Sequence, residues 1–206
     1  MSWEHLRHSY DRVARKYEER FGDELQGKPR DRELLASFAT SAGDPIVEIG
    51  CGPGHIGAFV RARGRRVVGL DLSLEMAKLA CLRLNGAVTA DMRALPFRTA
   101  EVGGVLAFYS LIHLRRPELT PVLRECHRVL RPGGRLLLSA HEGRGEVGVS
   151  EFLGEPAPLT ATLFDLAELT EAARAAGFEI VGAERREPYP SEGPTVRLYV
   201  EAHPSP

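Results

Sequence analysis

The stretch Glu48-Ile-Gly-Cys-Gly-Pro-Gly54 follows a short apolar run that begins at Pro45, and residues with helical spacing come after it. Glycines at the junction of a strand and a helix let the main chain turn sharply and let a ligand approach the backbone. In open α/β sheets, ligands bind at the carboxyl ends of the strands, where such loops lie. The stretch therefore predicts a ligand-binding loop after the first strand of an α/β domain.

Outward from this loop, strand-like and helix-like segments alternate, which is typical of an α/β fold with a largely parallel sheet. The predicted strands cover residues 45–50, 65–71, 87–90, 102–109, 135–141, 178–185 and 195–202. The predicted helices cover residues 2–20, 30–40, 54–63, 73–84, 117–130 and 165–176. Residues 131–134 are predicted as a turn, and the Gly- and Pro-rich residues 142–163 have no assignable pattern. Residues 187–194 suit a loop that joins an antiparallel final pair of strands.

Composition limits the class of protein. The 206 residues suit one domain, and the net charge of -1 leaves no basic excess for binding nucleic acid. The apolar runs are too short to span a membrane and the first residues are too polar for a signal peptide, so a soluble, cytoplasmic protein is expected. The cysteines, Cys51, Cys81 and Cys126, lack paired metal spacing; we expect buried thiols and no metal site.

Two acidic residues follow the next two strands. Asp71 ends the second strand, where a carboxylate can accept both ribose hydroxyls of an adenosine. Asp91 follows the third strand and can accept a hydrogen bond from an adenine amino group. Apolar walls for such a base would come from Leu72, Met76 and Met92. The three strand ends together predict an adenosine site.

A dinucleotide site is the main alternative, because residues 52–57 fit the G-x-G-x-x-G pattern and an acid follows on the next strand. Glu48 argues against it, since a carboxylate beside the loop would repel a pyrophosphate. Asp91 is a second acid that an adenosine ligand can use, and little chain remains for a separate substrate domain.

These segments resemble the motifs of the class I S-adenosylmethionine (SAM)-dependent methyltransferases, specifically the small-molecule type with a methyltransferase-11-like core. The resemblance covers about residues 8–202. Its motifs are Glu48-Ile-Gly-Cys-Gly-Pro-Gly54, Val68-Gly-Leu-Asp71-Leu-Ser, Ala90-Asp91-Met-Arg-Ala-Leu-Pro-Phe97, Val105-Leu-Ala-Phe-Tyr-Ser-Leu-Ile-His113 and Leu130-Arg-Pro-Gly-Gly-Arg-Leu136, with Tyr10-Asp-Arg-Val-Ala-Arg-Lys-Tyr17 as the N-terminal helix.

The resemblance implies a Rossmann-like, seven-stranded, mostly parallel sheet in the order 3-2-1-4-5-7-6, with strand 7 antiparallel and helices on both faces. Residues 1–206 would form one SAM-binding domain, with residues 1–40 as a helical lid. It also implies a cofactor site. The methionine part of SAM would lie along the backbone of Gly50, Cys51, Gly52 and Gly54, and Glu48 would reach its amino group. Asp71 would hold the ribose, and Asp91 and Met92 would hold the adenine. Phe108 would lie near the sulfonium, and Tyr10 and Tyr17 would close over the cofactor.

Methyl transfer to a small-molecule acceptor, with S-adenosylhomocysteine as product, is the predicted reaction; oxygen and nitrogen nucleophiles are favoured. His113 is the leading candidate for a general base and His141 the second, because imidazole titrates near neutrality. The residues do not decide between a monomer and a homodimer. Two alternatives stay open: a protein of this fold that binds SAM without transferring a methyl group, and an NAD(P)-dependent oxidoreductase.

Overall fold

The computed structural model describes residues 2–205. The helices are α1 (Trp3–Phe21), α2 (Pro29–Ser41), α3 (His55–Arg61), α4 (Leu74–Cys81), α5 (Arg116–Val129) and α6 (Leu166–Ala175), and short 3-10 turns cover Glu24–Gly27 and Leu111–His113. The strands are β1 (Ile46–Ile49), β2 (Val67–Asp71), β3 (Ala87–Thr89), β4 (Val102–Phe108), β5 (Leu130–His141), β6 (Glu146–Val149), β7 (Leu159–Thr162), β8 (Phe178–Arg186) and β9 (Arg197–Pro204).

Seven strands form the main sheet in the order β3-β2-β1-β4-β5-β9-β8. β1, β2, β3, β4 and β5 pair in parallel, whereas β9 is antiparallel to both β5 and β8. Since β8 and β9 are the sixth and seventh strands of this sheet along the chain, the predicted order and the antiparallel last strand are confirmed. The fold is therefore Rossmann-like.

Both faces of the sheet are covered. Every residue of β1 and β4 is buried, which is typical of parallel strands packed between two layers of helices. Successive side chains of a strand point to opposite faces. In β4, Val105 and Ala107 join the apolar cluster that contains α5 and α6 residues, while Leu106 and Phe108 join the cluster that contains α2 and α3 residues. Because the central strands are parallel, their carboxyl ends lie at the same edge of the sheet.

Two local predictions need correction. β5 begins at Leu130, not at residue 135, because Leu130 already pairs with Val102 and Arg135 pairs with Gly104. Residues 131–134 are therefore a bulge inside one strand rather than a turn between elements. Cys51 and Cys126 are buried as expected, but Cys81 is exposed at the end of α4.

The unassigned segment 142–163 contains a small separate sheet. β6 and β7 pair in an antiparallel manner, with Glu146 opposite Thr162 and Val149 opposite Leu159. Every residue of β6 is exposed, so this strand is not part of the core. Among residues 2–205, no helix combines the length and the apolar character that a membrane span requires.

Candidate active site

The glycine loop turns back on itself beside the end of β4. Gly50 and Gly52 have φ angles of 64° and 53°, in the left-handed region that glycine adopts without strain. A Cβ atom at Gly50 would lie 2.3 Å from the Cβ of Ser110. Only glycine fits there, and the main chain of the loop lines a cavity at the carboxyl edge of the sheet.

Asp71 holds the loop and the next helix together. Its Oδ2 accepts a hydrogen bond from the Gly52 N–H at 2.8 Å, and its Oδ1 accepts one from the Ser73 N–H at 2.8 Å. Burial raises the pKa of Asp71 to about 6, although these two amides favour the charged form. Each carboxylate oxygen keeps a further lone pair, so Asp71 can accept additional hydrogen bonds from a ligand in the cavity that it lines.

A cavity lies between this loop, the ends of β2 and β4, and α1, and we name it the first cavity. Of the predicted cofactor residues, those that line it are Tyr10, Tyr17, Gly50, Gly52, Asp71, Leu72, Met76, Asp91, Met92 and Phe108. The structure thus brings ten of the predicted residues, from separate helices, strands and loops, to one place. His113, the predicted base, lines the same cavity.

Asp91 already has a partner. Its carboxylate receives hydrogen bonds from Arg93, with Nη2 of Arg93 2.6 Å from Oδ2. Burial by itself would raise the pKa of Asp91, but the hydrogen bonds from Arg93 outweigh it, and the pKa lies below its usual value. Asp91 is therefore an ionised acceptor at the cavity wall, and any ligand amino group shares it with Arg93.

Four predicted residues do not line the first cavity. Glu48, Cys51 and Gly54 lie behind the loop, and His141 lies farther along the sheet edge. The Cys51 thiol packs toward β2, where a Cβ at Gly69 would be 2.7 Å from its Sγ. A Cβ at Gly54 would lie 3.0 Å from Ala80, so Gly54 serves the packing of α3 on α4. Cys51 and Gly54 thus help to shape the loop through packing, and the contacts of their backbone and of Glu48 with the methionine part of SAM stay predictions.

Glu48 is buried beneath the glycine loop. Only 2% of the residue is exposed, and its Oε2 has no hydrogen-bond partner among residues 2–205. Burial raises the pKa of Glu48 to about 8, with the Gly57 N–H opposing this effect and the charge of Asp71 adding to it. Near neutral pH the group is thus mostly protonated.

Helix α1 covers the first cavity and is fastened at its middle. Asp11 Oδ1 accepts hydrogen bonds from the Ser73 hydroxyl at 2.6 Å and from the Glu75 N–H at 3.1 Å. Ser73 caps α4 and donates its own N–H to Asp71. The position of α1 is therefore tied to the carboxylate at the end of β2.

His113 lies in the turn after β4, under α1. Its Nδ1 is 3.0 Å from the Thr160 carbonyl oxygen and its Nε2 is 2.7 Å from the Tyr10 hydroxyl. A carbonyl oxygen only accepts, so Nδ1 carries the proton and Nε2 accepts from Tyr10. Burial lowers the pKa of His113, with the Thr160 carbonyl opposing this effect. The ring is a neutral imidazole with its basic nitrogen directed at α1.

A second, larger cavity of about 850 Å³ adjoins the first, and Tyr10, Tyr17, Tyr109 and His113 line both. His141 lines only the second. Its ring stacks on Tyr109 with centroids 5.1 Å apart, and its Nδ1 is 3.0 Å from Oγ1 of Thr195. Burial, with the charges of Arg197 and Lys28, lowers the pKa of His141 to about 4. His141 is thus a neutral hydrogen-bonding group and a weaker base.

Tyr109 has a strained main chain at the boundary of the two cavities. Its φ of 54° is left-handed for a residue that is not glycine, and its N–H donates to Oγ of Ser139 at 2.9 Å. Strain of this kind persists where the surrounding structure holds the residue, and it occurs often at functional sites. The hydroxyls of Tyr109 and Tyr199 are 2.9 Å apart, and Asp31 accepts from Tyr199 at 2.7 Å.

Sequence reasoning missed Ser110, which lines the first cavity, and Asp11, which fastens α1 over it. Ser110 is only 5% exposed, and its Oγ has no hydrogen-bond partner among residues 2–205. It lies against Gly50, so its hydroxyl is available to a ligand on the loop. Asp11, which fastens α1, was overlooked because an acid on a polar helix face resembles any solvated charge. Gly50 was the available sequence signal for Ser110, because a glycine at such a position indicates that another residue lies close to its main chain.

Known proteins share this architecture. A family model described as "Methyltransferase domain" matches residues 47–138. An uncharacterized methyltransferase of Geobacillus kaustophilus is 31% identical over 134 residues, which are 64% of this chain and 61% of the relative. Malonyl-[acyl-carrier protein] O-methyltransferase of Erwinia billingiae is 36% identical over 136 residues, 64% of this chain and 51% of that protein. The chain thus spans about half to three fifths of the length of these two relatives.

A crystal structure of 1,6-didemethyltoxoflavin-N1-methyltransferase from Burkholderia thailandensis, with 1,6-didemethyltoxoflavin and S-adenosylhomocysteine bound, superposes with a TM-score of 0.75. The identity is 24%, and the match covers 98% of this chain and 88% of that one. The matched family model, the relatives and the strand order together show a likeness to the class I SAM-dependent methyltransferases, whose cofactor is SAM, with residues 47–138 as the matched methyltransferase domain. The dinucleotide interpretation of residues 52–57 is therefore set aside.

Proposed function

We propose that this chain binds SAM in the first cavity and transfers its methyl group to the oxygen or nitrogen of a small molecule held in the second. One observation carries the proposal: the two cavities meet at the Tyr10 hydroxyl and Nε2 of His113, which are 2.7 Å apart. A reaction between a cofactor and an acceptor requires such a junction, with a proton acceptor beside it.

The residues of the first cavity are suited to SAM. Gly50 lets the main chain of the loop approach Ser110 closely, and the Ser110 hydroxyl, which has no hydrogen-bond partner among residues 2–205, lines the same cavity. Both features suit the methionine part of the cofactor. Asp71 would accept the ribose hydroxyls while keeping its two amide hydrogen bonds. Asp91 and Met92 would bound the adenine, and Phe108 would lie near the sulfur.

Bound SAM would supply a methyl group already activated by its sulfonium, so the protein has to position the acceptor and remove its proton. An acceptor hydroxyl or protonated amine at the junction would give its proton to Nε2 of His113 after Tyr10 releases that nitrogen. The Thr160 carbonyl would then hold the Nδ1–H of the resulting imidazolium. His141, with its lower pKa, would orient the acceptor rather than deprotonate it.

The N-terminal helices would act as a lid within a single domain of residues 1–206. Support comes from α1, which lines both cavities through Tyr10 and Tyr17 and is joined to the rest of the domain mainly by side-chain contacts such as Asp11 with Ser73. Lys16 also pairs with Glu155 at 2.6 Å. Contacts of this kind can open and close without unfolding the sheet.

The names of two similar proteins are consistent with oxygen and nitrogen acceptors: one is a malonyl-[acyl-carrier protein] O-methyltransferase, and the other is an N1-methyltransferase of 1,6-didemethyltoxoflavin. The test is calorimetric titration with SAM, S-adenosylhomocysteine, NAD and NADP, followed by an acceptor screen read out by S-adenosylhomocysteine release. Binding of the two adenosyl ligands alone, with release in the screen, supports the proposal. Binding without any release would favour a protein that uses SAM in another way, and failure to bind SAM would overturn it.

A further inference from the structure

The second cavity has an aromatic face. The rings of Phe21 and Phe152 lie nearly parallel, with an interplanar angle of 12° and centroids 6.5 Å apart. Tyr17 contacts both, at centroid distances of 4.7 Å and 6.3 Å. All three line the cavity. Aromatic surfaces of this kind favour offset or edge-to-face contact with another ring, so this face suits a planar ligand.

Exposed valines add to the apolar surface. Val147 and Val149 are 52% and 45% exposed, and both line the cavity. Residues two apart in a strand share one face, so β6 presents both side chains together. Large apolar side chains left open in a concave surface mark a binding site. A ligand that covers them removes apolar area from water.

Four of the charged side chains that line the cavity form ion pairs with one another: Lys28, Glu24, Glu192 and Arg197. Arg20, Lys28 and Arg197 line it, and so do Asp23, Glu24 and Glu192. Lys28 Nζ lies 2.5 Å from Glu24 and 3.3 Å from Glu192, and Arg197 Nε lies 3.4 Å from Glu192. An anionic or cationic ligand would have to compete with these partly buried pairs, and breaking such a pair leaves an uncompensated charge. An uncharged ligand leaves them intact.

We propose that the acceptor is an uncharged, planar aromatic molecule that carries a hydroxyl or amino nucleophile. This inference rests on the proposed function, because it identifies the acceptor from the cavity that adjoins the cofactor cavity. The ring system lies along Phe21 and Phe152 and covers Val147 and Val149, and the nucleophile reaches Tyr10 and His113. A volume of about 850 Å³ falls within the range of pockets that hold small organic ligands.

The test is a binding experiment with three matched probes on the full chain saturated with S-adenosylhomocysteine. The probes are 2,3-dihydroxynaphthalene, which is planar and uncharged; 3-hydroxy-2-naphthoate, which has the same rings and a carboxylate; and decalin-2,3-diol, which is uncharged and saturated. We expect the dissociation constant of 2,3-dihydroxynaphthalene to be lower than that of either other probe by about tenfold or more.

One matched pair of variants assigns that binding to the cavity. Val149→Asp places a charge on the apolar wall and should weaken 2,3-dihydroxynaphthalene about tenfold or more. Val181→Asp makes the same exchange on β8, at a residue that is 59% exposed and does not line the cavity, and should leave binding unchanged. Because both positions are exposed, neither variant should unfold the protein.

The outcomes separate the two proposals. If the protein binds S-adenosylhomocysteine but prefers the naphthoate or the decalin diol, or binds none of the three probes, the inference about the acceptor is wrong and the proposed function stands. Equal weakening by Val149→Asp and Val181→Asp would also overturn the inference. If S-adenosylhomocysteine itself does not bind, the proposed function fails, and the inference fails with it.

Discussion

The Tyr10 hydroxyl donates a hydrogen bond to Nε2 of His113 at 2.7 Å, across 103 positions of sequence. The bond joins the covering helix α1 to the basic nitrogen at the boundary of the two cavities. Because Nδ1 is held by Thr160, the imidazole has one tautomer and one orientation. The same contact occupies the basic nitrogen, so in the proposed reaction an acceptor would have to replace the Tyr10 hydroxyl to reach it.

His113→Ala should slow methyl transfer while leaving SAM affinity nearly unchanged, because the base acts on the acceptor proton and not on the cofactor. General bases contribute about 10²–10⁴-fold to rate. The measurement is kcat from S-adenosylhomocysteine release, with an acceptor found by screening, beside a SAM titration. His8→Ala, at an exposed position on α1, is the control and should keep the full rate. A His113→Ala protein at full rate would require a different base.

The rate should also depend on pH through His113. Burial lowers the pKa of this imidazole below the value of 6.5 that an exposed histidine has. The neutral, basic form therefore persists at lower pH than in an exposed histidine. We expect kcat/KM to fall only when the pH drops below about 6.5, as the ring becomes protonated. A profile that declines already above this pH would assign the proton acceptor to a group other than His113.

Asp71→Asn should weaken SAM binding by about 1–3 kcal/mol, the value of hydrogen bonds to a charged group, which corresponds to roughly 5–150-fold in dissociation constant. Calorimetric titration measures it. The matched control is Asp44→Asn, because Asp44 also accepts a backbone hydrogen bond, from the Arg66 N–H, but does not line either cavity. Circular dichroism of both variants checks folding. Unchanged affinity in a folded Asp71→Asn protein would remove Asp71 from the ribose site.

Gly50→Ala should either prevent folding or, in a folded protein, abolish SAM binding. Gly64→Ala should lower the free energy of unfolding by only about 1–2 kcal/mol. Both glycines have left-handed φ angles, 64° and 83°. They differ in surroundings: a Cβ at Gly50 would meet Ser110 at 2.3 Å, while one at Gly64 would meet nothing within 4 Å. Thermal unfolding and SAM titration of the two variants separate backbone strain from steric clash. Equal effects would contradict the close approach of Ser110 to the loop.

The sequence predicted those parts of the fold that depend on local residue patterns. The apolar runs of β1 and β4 indicate buried strands, and the glycines at 50 and 52 indicate a tight turn. The strand order came from the family resemblance. The β6 strand escaped prediction because it is only four residues long, lies in a Gly-rich segment and is exposed along its whole length.

The sequence predicted only those site residues whose position follows from a local feature of the chain. Asp71 ends a strand, and its place follows from that fact. Lys28 is far in sequence from Glu192 and Arg197, and no local pattern around these residues indicates that Lys28 lies 3.3 Å from Glu192. The unpaired hydroxyl of Ser110 is likewise a property of tertiary packing. Contacts between remote segments therefore set the second cavity, and with it the acceptor.

Glu48 should make stability depend on pH. Burial raises the pKa of Glu48 to about 8 in the folded protein, from the value of 4.5 that an exposed glutamate has in the unfolded chain. Between these pH values the folded state holds a proton that the unfolded state has released. The free energy of unfolding therefore falls as pH rises across this window, by up to about 1.4 kcal/mol per pH unit from this group.

Glu48→Gln removes the titrating group and keeps the shape, so the variant should gain stability relative to the wild type as pH rises from about 5 to 8. The measurement is urea unfolding of both proteins at several pH values without SAM, and the difference between them isolates Glu48. Glu33→Gln, at a side chain that is 65% exposed on α2, is the control and should run parallel to the wild type. A Glu48→Gln curve that also runs parallel would mean that Glu48 is ionised and hydrated beneath the glycine loop.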